Sequence, residues 1–407
     1  MGKSKQLIVP QPKLGYGGLV GILVVANILV PLSLDMYTPS VTEMPGYFHT
    51  NASVISLTLV SFQLFFSIGL LLFGPITDKF GRKPVLVGGI GAYALSSALC
   101  ALSFNVWMLI FFRVIEGLGA GAVGMVSTAI VKDCFEPEMR KKMLSILQVF
   151  SVIGPVAAPL IGGVIITYTS WQMTFWVLAI IGGLCTVASL LYTESQPESE
   201  KLDTGVLRSL LRLGVVARNK PFMIFLLAAS MFCLPFMAYV ASGSYIYVDI
   251  FGLTAQQYTY FFAATAALSA IGPMLYLHAP SWLNARRLTW LLFAVNAVCA
   301  VLLLVAGHTM PAIFCVILVF VSMVQAAARP YSTNILLSLN EGDTGSASAM
   351  LNFVYTFAGC LGMQIIVLPL WPDYITGLGV VTLISVAIGI VLWLLMLKGK
   401  DGLEKFE

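Results

Sequence analysis

Gly74-Pro-Ile-Thr-Asp78-Lys-Phe-Gly81-Arg82-Lys83-Pro84 separates two long stretches that carry no charge, residues 53–76 and 84–103. A segment of about 20 apolar residues crosses a hydrocarbon core of roughly 30 Å. Two such segments joined by so few residues make a membrane hairpin. Its turn holds Asp78, Lys79, Arg82 and Lys83, with Gly74 and Gly81 beside the bend. Basic loops stay on the cytoplasmic side. Charges of both signs in one tight turn do more than anchor it. Asp78 can cap or pair with a neighbouring helix end, and Arg82 and Lys83 can bridge to carboxylates such as Asp133, forming a gating latch.

The same pattern extends in both directions. Apolar runs bounded by charge, Pro or Gly predict twelve spans near 16–40, 53–76, 84–103, 106–131, 143–167, 172–193, 221–241, 256–278, 287–307, 310–337, 346–369 and 374–397. The seventh is the least regular, interrupted by Pro235 and Ser242-Gly243. Composition agrees: 59% of the 407 residues are hydrophobic and 10% charged, against roughly 25% charged in a soluble domain. Nucleic-acid binders, secreted disulfide scaffolds and cytosolic enzymes are excluded. With the N-terminus inside, 20 of the 22 Lys and Arg fall in inside loops, and Arg113 and Arg329 lie within spans. Both termini are therefore expected in the cytoplasm, with Met1–Lys13 an uncleaved tail rather than a signal peptide.

The longest polar stretch, Glu194 to Lys220, lies near the middle of the chain. It is read either as an amphipathic helix on the inner leaflet around Arg208 and Arg212 or as a solvated linker. It divides an all-α membrane protein into two six-helix halves, 1–193 and 221–407, around the central cytoplasmic loop 194–220. Six plus six around such a loop is the layout of a pseudo-symmetric transporter with its site near the midplane.

Ionisable groups inside spans are costly and mark pathways by default. Asp35, Arg113 and Glu116 are the candidates for proton coupling. Asp35 and Arg113 sit at similar depth, roughly 8–12 Å from the outer face, which permits a pair. Glu116, three residues on, is the alternative partner of Arg113. Arg329, before Pro330, either snorkels or meets a carboxylate. Gly117 and Gly121 permit close helix approach. Asn27, Tyr37, Gln63, Gln148, Tyr239, Asn352 and Tyr355 are the candidate substrate-cavity lining. The seven cysteines form no C-x-x-C pair, and the three histidines lie at loop edges, so no metal site is expected. No P-loop is present, so ATP is not the expected driver, and no cofactor or enzyme chemistry is indicated.

Residues 74–83 resemble the G-x-x-x-D-R-x-G-R-K loop signature of the major facilitator superfamily, with Lys79 where Arg is common. Arg113-Val-Ile-Glu116-Gly117 is similar to its R-x-x-Q-G motif, with Glu116 for Gln. Gly154-Pro155-Val-Ala-Ala-Pro159-Leu-Ile-Gly162-Gly163 looks like the span-five motif associated with antiporters, and Trp171 also fits. The stretch Asp35-Met-Tyr37-Thr-Pro39 resembles the bicyclomycin/chloramphenicol resistance (Bcr/CflA) group of drug exporters, which includes the florfenicol exporters. The stretch Asn340–Ala347 is also like that group. Loop eight-to-nine, with only Arg286-Arg287, lacks the full signature. The resemblance implies a drug:proton antiporter in a bacterial inner membrane, a monomer whose partners are a small-molecule drug, protons and the lipid bilayer, with no nucleic acid. A proton-coupled importer of a small nutrient is the alternative, and the Gly-Pro pattern of span five favours export.

Overall fold

The computed structural model describes residues 7–197, 214–278, 284–339 and 344–398. Among these, twelve helices are long and apolar enough to cross a membrane. They are α1 (Gly15–Ser40), α2 (Ala52–Phe80), α3 (Arg82–Ala101), α4 (Val106–Cys134), α5 (Pro137–Tyr168) and α6 (Trp171–Leu190), followed by α7 (Lys220–Ile250), α8 (Ala255–Leu277), α9 (Ala285–Ala306), α10 (Pro311–Leu336), α11 (Ser346–Ile366) and α12 (Tyr374–Lys398). No strand occurs among the described residues. The amphipathic segment expected around Arg208 and Arg212, and Asn340–Asp343, lie outside the described residues.

All twelve predicted spans are present, and the seventh is longer than expected. Ser242-Gly243 reads as a break in sequence, yet the helix continues through it to a π-helical turn at Ile246–Ile250. The Ser242 hydroxyl donates to the Ala238 carbonyl at 2.9 Å and so stays inside the helix. Single π turns of this kind recur at functional sites. Span five begins earlier than expected, at Pro137, where proline fits the first helical turn.

The chain forms two compact units, Met1–Ser40 with Ser61–Leu211, and Val41–Val60 with Arg212–Glu407. In the first, α4 packs on α2 and α3 through small residues. A Cβ added at Gly117 or Gly121 would collide with the Phe62 or Phe66 carbonyl, and one at Gly119 would lie 2.8 Å from the Gly89 carbonyl. Similarly, α5 seats on α1, because a Cβ at Gly154 would strike the Pro31 ring and one at Gly162 the Met36 carbonyl. The second unit holds residues 41–60 by backbone acceptors. The Tyr245 hydroxyl donates to the Val41 carbonyl at 3.0 Å, and the Ser56 hydroxyl donates to Met363 at 3.2 Å. All seven cysteines are buried and free, including Cys134, which ends α4 rather than standing in a loop.

Candidate functional site

Two buried charges of the first unit, Arg113 and Glu116, lie where α1 meets α4. Arg113 and Glu116 are both 0% exposed, and their side chains pair at 2.9 Å. Glu116 accepts a further hydrogen bond from the Ser97 hydroxyl at 2.8 Å. Arg113 donates to the Ser33 carbonyl of α1 at 3.1 Å. Its guanidinium lies 4.2 Å from the Phe62 ring, 5.1 Å from Tyr37 and 5.7 Å from Phe175. Such cation–π contacts contribute about 2 kcal/mol when desolvated. Between the two partners open to Arg113, the structure selects Glu116, because three residues is less than one helical turn and needs no second helix to hold the distance.

Asp35, two residues beyond Ser33, is 4% exposed and makes no ion pair among the described residues. Its backbone carbonyl accepts from the Thr38 hydroxyl at 2.8 Å. Gly162 of α5 abuts the carbonyl of the next residue, Met36. The span-five glycines therefore sit against the piece of α1 that carries the carboxylate. Pro155 and Pro159 are also inside this helix, and the Gly163 carbonyl accepts from Thr167 at 2.7 Å.

A second charged cluster forms at the turn between α2 and α3. Gly81 has φ +99°, a left-handed conformation that only glycine adopts without strain, and it starts α3 directly. Arg82 then bridges Asp78 at 2.5 Å and Asp133 at 2.8 Å. Lys83 was expected to share this bridging. Its ammonium makes no ion pair among the described residues, because its backbone is what the cluster uses. The Glu194 carboxylate accepts the N–H groups of Arg82 at 3.0 Å and Lys83 at 2.9 Å, capping α3 with a negative charge. Ser195 donates to Asp133 at 3.3 Å, and the Gln196 amide donates to the Asp78 carbonyl at 2.9 Å. Tyr192 donates to Ser195 at 2.7 Å, while burial pushes its phenol well above the ordinary range. Gln11 binds the backbone of Thr193 in both directions, at 2.8 and 2.9 Å. Glu194, Ser195, Gln196 and Gln11 were not singled out in the sequence. The available signal was a carboxylate directly after span six, the first of several in that stretch.

The remaining cavity candidates divide between the two units. Asn27 donates back to the Leu23 carbonyl at 2.7 Å, Gln63 is half-buried and Gln148 is exposed. Tyr37 is 1% exposed beneath Arg113. Tyr239 is also 1% exposed and stacks on Phe262 at 5.6 Å within an aromatic cluster. Asn352 accepts from Arg329 at 3.3 Å, so Arg329 meets an amide, not a carboxylate, among the described residues. Tyr355 is buried one turn further along α11. Gly74 lies one turn before Asp78 in α2 and faces the Met125 side chain.

Residues 23–363 match the Major Facilitator Superfamily. The chain is 30% identical over 359 residues to the uncharacterized MFS-type transporter YdgK of Bacillus subtilis, covering 86% of this chain and 87% of that protein. It is also 30% identical over 277 residues to the bicyclomycin resistance protein homolog of Haemophilus influenzae, covering 66% and 65%. In fold it resembles the crystal structure of a bacterial homolog of the human lysosomal transporter Spinster, with TM-score 0.76 and 13% identity over 98% of this chain and 99% of that one.

Proposed function

The chain belongs to the major facilitator superfamily of small-molecule transporters, and on that premise we propose that it is a proton-coupled exporter of small, largely apolar compounds of phenicol or bicyclomycin type. It works by alternating access of the halves 1–193 and 221–407, as a monomer in a bacterial inner membrane, with both termini in the cytoplasm. A relative whose name is that of a bicyclomycin resistance protein homolog supports the substrate class.

One observation carries the coupling: Asp35 is buried in α1 without an ion-pair partner among the described residues, while nearby Arg113 is already neutralised by Glu116. A carboxylate left over in this way can take up and release a proton without breaking a salt bridge. Substrate and proton then compete for the same state of α1, and the proton gradient drives the exchange. Arg113 and Glu116 act as positioning residues, fixing the Ser33 carbonyl two residues before Asp35 and the Tyr37 ring two residues after it. The glycines of α5 let α1 approach closely at Pro31 and Met36.

The test is drug accumulation by everted vesicles under an imposed pH gradient. Wild type should concentrate a phenicol, and Asp35→Asn should abolish the uphill step while downhill exchange and protein level survive. Full pH-dependent accumulation by Asp35→Asn would falsify the assignment of the proton to this carboxylate.

A further inference from the structure

Two arginines lie within spans, and their surroundings are opposite. Arg113 of the first unit is fully buried and paired to a carboxylate. Arg329 of the second unit is exposed and makes no ion pair among the described residues. It is seven residues before the end of α10, about 10 Å of helix, so it belongs to the span and not to the adjoining loop.

Among the described residues, the groups around Arg329 are neutral. Its Nη2 donates to the Asn352 Oδ1 at 3.3 Å, and the Asn352 amide donates in turn to the Ser348 carbonyl at 3.0 Å. Tyr355, 4% exposed, has no hydrogen-bond partner for its hydroxyl. Tyr355 follows Asn352 by one turn of α11 and packs against Ala229 and Cys233 of α7. The cluster thus joins α7, α10 and α11 with one cation, several donors and, among the described residues, no carboxylate.

A cation at membrane depth is retained at a cost unless something neutralises it. A guanidinium presents a planar fork of N–H donors that fits a carboxylate or similar oxyanion. The unused Tyr355 hydroxyl offers one more donor beside it. We propose that Arg329, with Asn352 and Tyr355, is an anion-accepting subsite of the second unit. It takes the carboxylate, or a comparable oxyanion, of a substrate whose remaining body is apolar. The proposal rests on the transporter reading above and adds to it the charge of the preferred substrate.

Chloramphenicol and its hemisuccinate ester supply a matched pair, the same body without and with a carboxylate. Their affinities for the purified full-length protein are measured by equilibrium dialysis at neutral pH. Wild type should bind the hemisuccinate at least tenfold more tightly. Arg329→Gln should remove that preference. Asn352→Asp should remove it as well, because it places an internal carboxylate beside an intact Arg329. Arg329→Lys should keep part of it, since the charge remains without the fork. Size-exclusion profiles matching wild type establish that each variant is folded.

Equal affinities in wild type, a preference that survives Arg329→Gln in folded protein, or no binding of either compound overturns the subsite. Export of the neutral parent under a pH gradient is read separately in vesicles. Failure there, with the carboxylate preference intact, sinks the exporter reading and leaves the subsite standing.

Discussion

Glu116 accepts from Ser97 and pairs with Arg113 at a position with no exposed surface. Removing one member of such a buried pair leaves the other charge uncompensated and costs about 3–5 kcal/mol. Glu116→Gln should therefore lower the unfolding temperature and the yield of folded protein, although the R-x-x-Q-G motif that this stretch resembles has Gln at the corresponding place. Replacing Arg113 with Gln in the same chain should recover a large part of the loss. Thermal unfolding of the purified single and double variants in detergent checks both outcomes. A single variant as stable as wild type would show that Arg113 is held by its aromatic neighbours and not by the carboxylate. Asp35 differs in kind, because a change there removes no ion pair seen among the described residues.

At the scale of elements, helix ends and helix seams show how sequence becomes structure. Asp373 starts α12 by accepting the N–H groups of Ile375 and Thr376, each at 2.9 Å, and the Thr376 hydroxyl at 2.7 Å. His308 lies 3.0 Å from the same carboxylate. Burial pushes the Asp373 carboxyl up, but the Thr376 N–H, its hydroxyl and His308 outweigh it, so the group ends below the ordinary carboxylate range. A group with a lowered folded pKa contributes its stability above the unfolded value and loses it as pH falls through the folded one. Asp373→Ala should thus cost about 1 kcal/mol at neutral pH. The gap to wild type should narrow below about pH 4. Unfolding temperatures measured across that range test the sign, and a gap that widens in acid would contradict it. The seams follow a different rule. Gly117, Gly121, Gly154 and Gly162 all sit where a side chain would meet a neighbouring helix, so the small residues of α4 and α5 specify which helices touch.

Across the whole molecule, the turn of α2 and α3 works as a clamp. Arg82, Asp78, Asp133 and Glu194 tie together the ends of α2, α3 and α4 and the residues that follow α6. All of these lie within the first unit. Asp78→Asn and Glu194→Gln should slow transport severalfold while changing equilibrium substrate affinity little, since the clamp lies at the opposite end of the helices from Asp35. Initial rates in vesicles against affinities in detergent separate the two effects. A tenfold loss of affinity, about 1.4 kcal/mol, would place the cluster in the binding site. The twelve spans were legible because lipid demands long apolar runs and basic loops mark one side. Arg82–Asp133 was legible as opposite charges in neighbouring turns. Glu194 was not, because it acts on backbone N–H groups more than 100 residues away, which no side-chain pattern announces. The partner of Arg113 also stayed open between two carboxylates, because spacing along the chain permits the Glu116 pair without deciding against Asp35. The continuation of α7 was hidden because Ser242 resembles a break until its hydroxyl is seen to fold back on its own helix.

The burial of all seven cysteines has a consequence for chemistry done on the protein from outside. A water-soluble maleimide meets no exposed native thiol on the folded chain. A single cysteine placed at an exposed position, such as Tyr47 or Gln148, would therefore carry a fluorophore or spin label against a silent background. The native thiols need not be removed first. The same thiols become reactive only when the helices come apart, which makes their labelling a clock for unfolding that runs independently of any transport assay.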